Sequence, residues 1–287
     1  MLHEIGRITS AKSEFSDAMR VQERALVLYR ELGDRNGEAR VLSALGRLRE
    51  MIEDYPASAR FQEQALALYA GLDDDWGEAR SLHDLGRVKC AVGEYAVGGE
   101  MLEQALNRCR ELGDRLGEAR SCGALGWHRH ETGDHATALL LEEQALALFQ
   151  ELGQRHGEAN ACHALGVMHT AAGAHPEAAA LLNRALALYT EIGDRRGVAQ
   201  VLNVKGALLA ISARPDEALA AYREALQIAM DVRSQGALEG IARCEAQADR
   251  AAALTNLRQA VAIYRRIGST EAGAAEAWLE ELEEPGP

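Results

Sequence analysis

The apolar positions of the chain follow a long-range repeat. An Ala-Leu pair returns every 40 residues, at Ala25-Leu26, Ala65-Leu66, Ala105-Leu106, Ala145-Leu146, Ala185-Leu186 and Ala225-Leu226. Two helical turns before each pair stands a small residue: Ala18, Ser58, Gly98, Ala138, Ala178 or Ala218. No unit of this length can cover its own apolar stripe, so the pattern predicts units that stack and bury their apolar faces on their neighbours.

A polar joint separates the units. Its fullest copies are Leu32-Gly33-Asp34-Arg35-Asn36-Gly37-Glu38-Ala39 and Leu112-Gly113-Asp114-Arg115-Leu116-Gly117-Glu118-Ala119, and divergent copies begin at Leu72, Leu152 and Ile192. The first glycine can take the left-handed conformation that closes a helix. The aspartate then caps the next helix, and the glutamate lies near the positive end of its dipole. The joint therefore predicts a sharp corner at which one helix ends and the next begins.

A second break divides each unit into two helices. It reads Glu53-Asp54-Tyr55, Gly93-Glu94-Tyr95, Gly133-Asp134-His135, Gly173-Ala174-His175 and Ala213-Arg214-Pro215. Proline stands at the start of the second helix, where a missing N–H is harmless, at Pro56, Pro176 and Pro215. A glycine also returns inside every first helix, at Gly46, Gly86, Gly126, Gly166 and Gly206. Because a mid-helix glycine costs about 1 kcal/mol against alanine, its return predicts close helix packing.

These patterns predict an all-α protein, a right-handed α-solenoid of about 15 helices in stacked antiparallel pairs. The predicted divisions are a truncated first unit over 1–33, five 40-residue units over 34–232, a shorter sixth helix pair over 233–267, and an acidic capping helix with a tail over 268–287.

Both ends of the array depart from the regular unit. The joint that should precede Gly6 is absent, so we expect the back part of a helix over residues 1–13 and a second helix from about Phe15 to Leu32. A chain that begins inside a unit suggests a piece of a longer array. At the other end, six glutamates between Thr270 and Glu284 favour a solubilising cap helix.

The Leu-Gly of the first helix, the Gly-Asp-Tyr type of break and the Ala-x6-Ala-Leu of the second helix resemble the tetratricopeptide repeat. The 40-residue period is similar to the longer variety found in kinesin light chains, in peptide-binding polarity adaptors and in bacterial regulators. The joint most resembles the C-terminal arrays of actinobacterial-type multidomain transcriptional regulators of the SARP, LuxR or STAND type. One departure argues against tight packing: the place of a frequent aromatic residue holds Arg49, Lys89, Arg129, His169 and Leu209.

Charge and composition exclude several classes of function. The net charge of −13 argues against non-specific binding to nucleic acid or to an anionic membrane. No apolar run is long enough to span a bilayer, and the start lacks the apolar core of a secretory signal. Five cysteines without Cys-x-x-Cys indicate neither a disulfide framework nor a zinc site. A cytoplasmic protein without a cofactor is the expectation.

The candidate site is a polar stripe on the first helices, which the resemblance places in a concave groove. Its residues are Arg40, Ser43, Arg47, Arg80, His83, Arg87, Arg120, Trp127, His130, Asn160, His163 and Asn203. Arg40, Arg80 and Arg120 would form rungs roughly 10–20 Å apart that suit an acidic, extended peptide. The alternative is that these arginines are ordinary solvated side chains. The groove is favoured because no acid takes the Arg40 or Arg47 place in the next three units.

Two other interpretations of the stripe remain at this point. Trp127 would serve either as an aromatic anchor or as core packing. A metal site built from His83, Cys90, His130 and His163 is disfavoured, because these residues come from different units without tight spacing.

Three functions compete. The first is a non-catalytic module that binds a protein or peptide in its groove. The second is the sensor part of a transcriptional regulator, which the truncated first unit suggests. The third, an enzyme, lacks support because the sequence holds no phosphate-loop, nucleophile-elbow or zinc-protease motif. The sequence names neither the partner nor the oligomeric state.

Overall fold

The computed structural model describes residues 2–52, 54–229, 242, 250–267 and 272–283. Thirteen helices and no strands occur in them, which confirms the predicted all-α class. The helices are α1 Leu2–Leu32, α2 Arg35–Met51, α3 Tyr55–Ala70, α4 Asp75–Ala91, α5 Tyr95–Leu112, α6 Arg115–Glu131, α7 His135–Glu151, α8 Arg155–Ala171, α9 His175–Ile192, α10 Arg195–Ile211, α11 Pro215–Ala229, α12 Arg250–Ile267 and α13 Ala272–Glu283. The chain divides into unit 1, Met1–Gly157, and unit 2, Glu158–Pro287.

Helices pack as consecutive pairs. In unit 1 the pairs are α2 with α3, α4 with α5 and α6 with α7, and α3 also packs on α4 and α5 on α6. Among the first helices, α2 contacts α4, and α4 contacts α6. Within the described residues, no contacts of similar extent join α3 to α5 or α5 to α7. The first helices therefore lie on the inner side of unit 1.

The joints have the geometry that the sequence predicts. Gly33, Gly113 and Gly193 have φ of +69°, +69° and +75°, so each closes its helix in the left-handed region. Asp34 Oδ1 then accepts from the backbone N–H of Gly37 at 2.9 Å. Equivalent caps occur at Asp74, Asp114 and Asp194. The chain consequently turns the same corner at each of these joints.

The second glycine of the joint has a role that the sequence alone does not reveal. A Cβ on Gly37 would lie 2.3 Å from the ring of Tyr29, and one on Gly77 would lie 2.2 Å from the ring of Tyr69. Phe149 covers Gly157 in the same way within unit 1. An aromatic ring at the end of one helix thus lies flat on the backbone that starts the next, and only glycine leaves room for it.

The glycines inside the first helices confirm the predicted close packing. A Cβ on Gly46 would lie 2.6 Å from Gln62 Nε2, and one on Gly166 would lie 2.6 Å from Leu182. At Gly86 the backbone oxygen of Gly98 would be 3.0 Å away. The two helices of a pair therefore approach each other at these points.

The basic residues at the expected aromatic position pack through charge. Arg49 pairs with Glu23 at 3.6 Å and with Asp54 at 3.3 Å. Lys89 repeats this arrangement 40 residues later, with Glu63 at 3.6 Å and Glu94 at 3.2 Å, and its hydrogen bond with Glu94 raises the pKa of the ammonium group. Each cation bridges the preceding second helix and the following break, so an ionic contact stands where an aromatic contact was expected.

The ends of the chain correct part of the predicted organisation. The break expected between residues 13 and 15 is wrong, because α1 is one helix from Leu2 to Leu32. No glycine or proline stands between Arg7 and Phe15 to end a helix there. The first helix of the sixth pair lies outside the described residues except for Ala242. The helix predicted as a cap is α13, and its Trp278, Leu279 and Leu282 pack against buried residues of α12.

Candidate binding face of the first helices

Nine of the predicted site residues belong to the first helices of unit 1, and we call them the inner face. They are Arg40, Ser43 and Arg47 of α2, Arg80, His83 and Arg87 of α4, and Arg120, Trp127 and His130 of α6. Asn160, His163 and Asn203 belong to unit 2 and are considered separately.

Three arginines of the inner face differ from the others in their pairing. Arg40, Arg80 and Arg120 are all exposed. Among the described residues, Arg40 and Arg120 have neither a hydrogen-bond nor an ion-pair partner. Arg80 makes one long contact, from Nη2 to the Tyr69 hydroxyl at 3.5 Å.

Two other predicted arginines are already paired. Arg47 Nη1 lies 3.2 Å from Asp84 Oδ2 and also donates to Ser43 Oγ at 2.8 Å. Arg87 Nη2 lies 2.7 Å from Glu50 Oε1. Both ion pairs join α2 to α4, so they hold adjacent rungs together and neutralise these guanidinium groups.

The acids of these pairs escaped the sequence analysis because it compared only equivalent positions. Asp84 is buried, and it stands where the other units have Ala44, Ala124, Ala164 and Val204. A carboxylate in a column of small apolar residues is a departure from the repeat, and that departure was the available signal. Burial raises the pKa of the Glu50 carboxyl, against the opposing effect of Arg87.

Ser43 and His83 contribute little surface to the inner face. Ser43 is fully buried, so it presents no surface for the predicted peptide contact. His83 is half-buried, and its Nδ1 lies 3.4 Å from Ser121 Oγ. Burial lowers the pKa of the His83 imidazole to about 4, so the ring is neutral at pH 7 and adds no positive charge.

Trp127 lies on the surface, which excludes the core-packing alternative. The side chain is 41% exposed, and its ring centroid lies 5.8 Å from that of His130. His130 is followed by His135, with the two Nδ1 atoms 3.3 Å apart. This aromatic group ends the inner face at α6.

The four residues weighed as metal ligands are not brought together. Within the described residues, no three histidine, cysteine or acidic side chains converge in a way that could hold a metal ion. Cys90 instead contacts His128, with Sγ 3.4 Å from Nδ1. Burial raises the pKa of the Cys90 thiol, which therefore stays protonated at neutral pH.

The predicted site residues of unit 2 lie on α8 and α10. Asn160 is exposed and accepts a hydrogen bond from the Tyr189 hydroxyl. His163 is half-buried, and burial lowers the pKa of its imidazole to about 4. Asn203 is half-buried on α10. No free cation takes the Arg40 place on α8 or α10, where Asn160 and Gln200 stand.

One further polar residue, which was not among the predicted site residues, lies on α7. Glu142 of α7 is only 3% exposed and has no hydrogen-bond or ion-pair partner among the described residues. Burial raises the pKa of its carboxyl to about 8. The equivalent positions hold Gln62, Leu102, Leu182 and Tyr222, so a carboxyl group at this place departs from the repeat.

A shallow cleft of about 380 Å³ lies away from the inner face, next to the joint between α5 and α6. Its charged residues are Arg110, Arg115, Glu118 and Glu151, which pair among themselves at 2.7–3.4 Å. These charges are already neutralised, so the cleft offers no unpaired group to a ligand. None of the described helices combines the length and apolar character needed to cross a membrane.

The chain matches a repeat family over most of its length. The family model of the tetratricopeptide repeat matches residues 1–70, 77–151 and 153–231. The chain belongs to the tetratricopeptide repeat family. Tetratricopeptide repeats generally form non-catalytic scaffolds for protein–protein interaction, and the stacked pairs of this chain have that architecture.

Solved tetratricopeptide structures share the fold at low sequence identity. A Rap protein complexed with Competence and Sporulation Factor is 17% identical, with a TM-score of 0.71 over 97% of this chain and 74% of that one. BtubC from P. vanneervenii is 20% identical, with a TM-score of 0.63 over 77% and 93% of the two chains.

A third structure is a Signal Transduction ATPase with Numerous Domains from Pyrococcus horikoshii, which carries a tetratricopeptide repeat sensor. It is 16% identical, with a TM-score of 0.64, and the alignment covers 98% of this chain and 43% of that protein. At these identities the likeness shows the fold alone. No curated protein matches the chain in sequence.

Proposed function

We propose that unit 1 binds an acidic peptide segment of a partner protein along the inner face, with Arg40, Arg80 and Arg120 as the anchoring side chains. The supporting observation is the selective pairing of the arginines. In a chain of net charge −13, Arg47 and Arg87 are neutralised by buried or half-buried acids. The three exposed arginines on α2, α4 and α6 form no ion pair with a described acid, so they remain free for the carboxylates of a partner.

The spacing of the rungs suggests a form for the peptide. Helices in contact lie about 8–10 Å apart, which sets the approximate distance between successive arginines. A polyproline II segment rises 3.1 Å per residue and returns to the same side every three residues, or roughly every 9 Å. Acidic residues at every third position of such a segment would therefore face all three arginines together.

A pair of synthetic peptides tests this proposal. Acetyl-Glu-Pro-Ala-Glu-Pro-Ala-Glu-amide has the required spacing, and acetyl-Glu-Glu-Glu-Pro-Pro-Ala-Ala-amide has the same composition without it. We expect titration calorimetry to show tighter binding of the spaced peptide, with affinity that falls as salt is added.

Charge-matched variants identify the surface. Arg40→Ala/Arg80→Ala/Arg120→Ala should lower the affinity at least about tenfold, because each charge-assisted hydrogen bond contributes about 1.5–3 kcal/mol. The control is Arg20→Ala/Arg24→Ala/Arg60→Ala, which removes three exposed arginines from α1 and α3. Equal affinities for the two triple variants would reject the inner face as the site.

A second candidate function rests on the structure from Pyrococcus horikoshii, in which a tetratricopeptide array is the sensor of a larger protein. This is an analogy of fold. It predicts that the coding sequence upstream of Met1 continues in frame and contains a phosphate-binding loop. A stop codon and ribosome-binding site directly before Met1 would contradict it.

A further inference from the structure

Gly123 of α6 leaves room for a methyl group next to the Glu142 carboxyl group, and we call this space the pit. Gly123 is half-buried and stands at the position that Ser43 and His83 take in the preceding units. A Cβ placed on it would meet nothing closer than 3.8 Å. The nearest atoms are Glu142 Oε2 at 3.8 Å and Glu142 Oε1 at 3.9 Å, so both carboxyl oxygens form the floor of the pit.

Burying this carboxyl is unfavourable for the free protein. The Glu142 side chain is only 3% exposed, and no described residue forms an ion pair with it or donates a hydrogen bond to it. Leucine at the same position in the neighbouring pairs fills the space without that cost. A buried carboxyl group without a partner in the free protein is a candidate contact for a ligand.

The pair α2 and α3 shows which groups surround the equivalent position. There Gln62 stands at the position of Glu142, and its Nε2 donates to the Ser43 backbone oxygen at 3.2 Å. Arg47 Nη1 donates to Ser43 Oγ and to Asp84 Oδ2, the same carboxylate oxygen that Gln62 Nε2 reaches at 3.4 Å. In the third pair tryptophan replaces the arginine, so the acid is present and the guanidinium is missing.

The rim of the pit suits the missing group. Trp127 follows Gly123 by one turn on the same face of α6, and its exposed indole offers a surface for an aliphatic stem and a cation. Arg120 precedes Gly123 by one turn and is exposed. It would repel a second cation, but it suits a carboxylate next to the inserted residue.

We propose that the pit between Gly123 and Glu142 is a subsite for an arginine side chain of the bound peptide. Its guanidinium pairs with the Glu142 carboxylate, its stem lies along the Trp127 indole, and a neighbouring acidic residue reaches Arg120. This deepens the proposed peptide-binding function and rests on the same inner face. It adds a specificity for arginine that the three rungs alone do not supply.

The test uses N-acetylarginine amide as the probe and N-acetylcitrulline amide as its uncharged isostere. The full chain is labelled with ¹³C at the glutamate carboxyl carbons, and Glu142→Gln assigns the Glu142 resonance by its disappearance. We expect the arginine derivative to shift this resonance towards the ionised position at pH 7 and to lower its midpoint by at least one pH unit. The citrulline derivative should leave it in place.

A second variant covers the possibility that Glu142→Gln fails to fold. In Gly123→Ala the added methyl group closes the pit at ordinary contact distance, while Glu142 is retained. The arginine-induced shift should disappear in this variant. An unmoved Glu142 resonance in the wild type, an equal effect of citrulline, or an unchanged shift in Gly123→Ala would each overturn the proposal.

Failure of the subsite and failure of the arginine ladder give different results. A single amino-acid derivative cannot span three rungs, so its effect on Glu142 is independent of Arg40 and Arg80. Loss of binding to the spaced acidic peptide, with the Glu142 shift intact, would reject only the ladder. The opposite result would reject only the subsite.

Discussion

Glycine stands in this chain for three different reasons, which only the contacts distinguish. Gly33 adopts a positive φ, and Gly37 lies under an aromatic ring. A Cβ built on Gly126 would lie 2.9 Å from Glu142 Cγ, whereas one built on Gly123 of the same helix would meet nothing closer than 3.8 Å. Three of these positions are required by the fold, and Gly123 is not.

A matched pair of substitutions on α6 tests this distinction. Gly123→Ala should stabilise the protein by about 0.5–1 kcal/mol, because alanine favours helix and meets no close neighbour. Gly126→Ala should destabilise it by about 1–3 kcal/mol, because the methyl group overpacks the contact with α7. Urea unfolding followed by circular dichroism measures both. Stabilisation by both variants would show that the two helices are not in close contact at Gly126.

Glu142 predicts an unusual dependence of stability on pH. Its folded pKa is raised to about 8 from an ordinary 4.5, so between these values the unfolded chain loses a proton that the folded chain keeps. Stability of the wild type should therefore fall as pH rises through this window.

Glu142→Leu removes this effect. The difference in unfolding free energy between the variant and the wild type should grow in favour of the variant as the pH rises. At pH 8 the variant should be at least about 1.4 kcal/mol more stable, which is the equivalent of one pKa unit. The control is Glu143→Leu, which changes the adjacent exposed glutamate and should show no such trend. A pH-independent difference for Glu142→Leu would mean that the carboxyl is ionised in the fold.

At the scale of the elements, the caps of the joints fix where helices begin. The first helices α2, α4, α6 and α10 each begin after an aspartate. The carboxylate of that aspartate accepts a hydrogen bond from the backbone N–H three residues later. The second helices are less uniform, since Asp54 and Asp134 cap α3 and α7 while Glu94 and Ala174 make no side-chain cap bond. The corner between pairs is therefore specified more strongly than the turn within a pair.

Substitution of a cap tests this difference. Asp114→Ala should cost about 1 kcal/mol, because the Gly117 N–H loses its acceptor at 2.9 Å. Glu94→Ala removes an N-cap residue that makes no side-chain cap bond and only a partly exposed ion pair with Lys89, so it should cost less than about half of that. Thermal unfolding of the two variants side by side gives the comparison. Equal losses would assign the effect to charge near the helix start rather than to the cap.

At the scale of the whole molecule, the repeated pair is the unit of construction. First helices begin at Arg35, Asp75, Arg115, Arg155 and Arg195, so equal segments can be exchanged or removed at the joints. Each pair in unit 1 packs on its sequence neighbours. Stability should therefore depend on the number of pairs and on the contacts between neighbouring pairs.

Removal of residues 74–113 tests this modularity, since it joins Asp73 to Asp114 and restores a complete joint. We expect unchanged ellipticity per residue at 222 nm and a lower melting temperature. The variant should also bind the spaced peptide more weakly, because one rung is lost. Deletion of residues 74–109 is the control, which breaks the period and should reduce the ellipticity. Loss of helix in both deletions would argue against independent pairs.

The sequence predicted the joints, the all-α class and the location of the small residues because these depend on local backbone chemistry and on a period that the chain itself displays. It did not predict which arginines are paired. Asp84 and Glu50 occupy different repeat positions from Arg47 and Arg87, and a comparison of equivalent positions does not show contacts between offset ones. The single helix α1 was missed because an expected period was extended into a segment without a breaking residue.

The sequence by itself determined where helices end, because a left-handed glycine and a capping aspartate act within a few residues of each other. It also determined that helices must stack, because each pair carries more apolar surface than it can cover. Only the tertiary structure decided which charges remain free and which polar groups are buried without a partner. Those properties depend on the distance between side chains of neighbouring pairs, such as Arg47 and Asp84, and on the space that Gly123 leaves above Glu142.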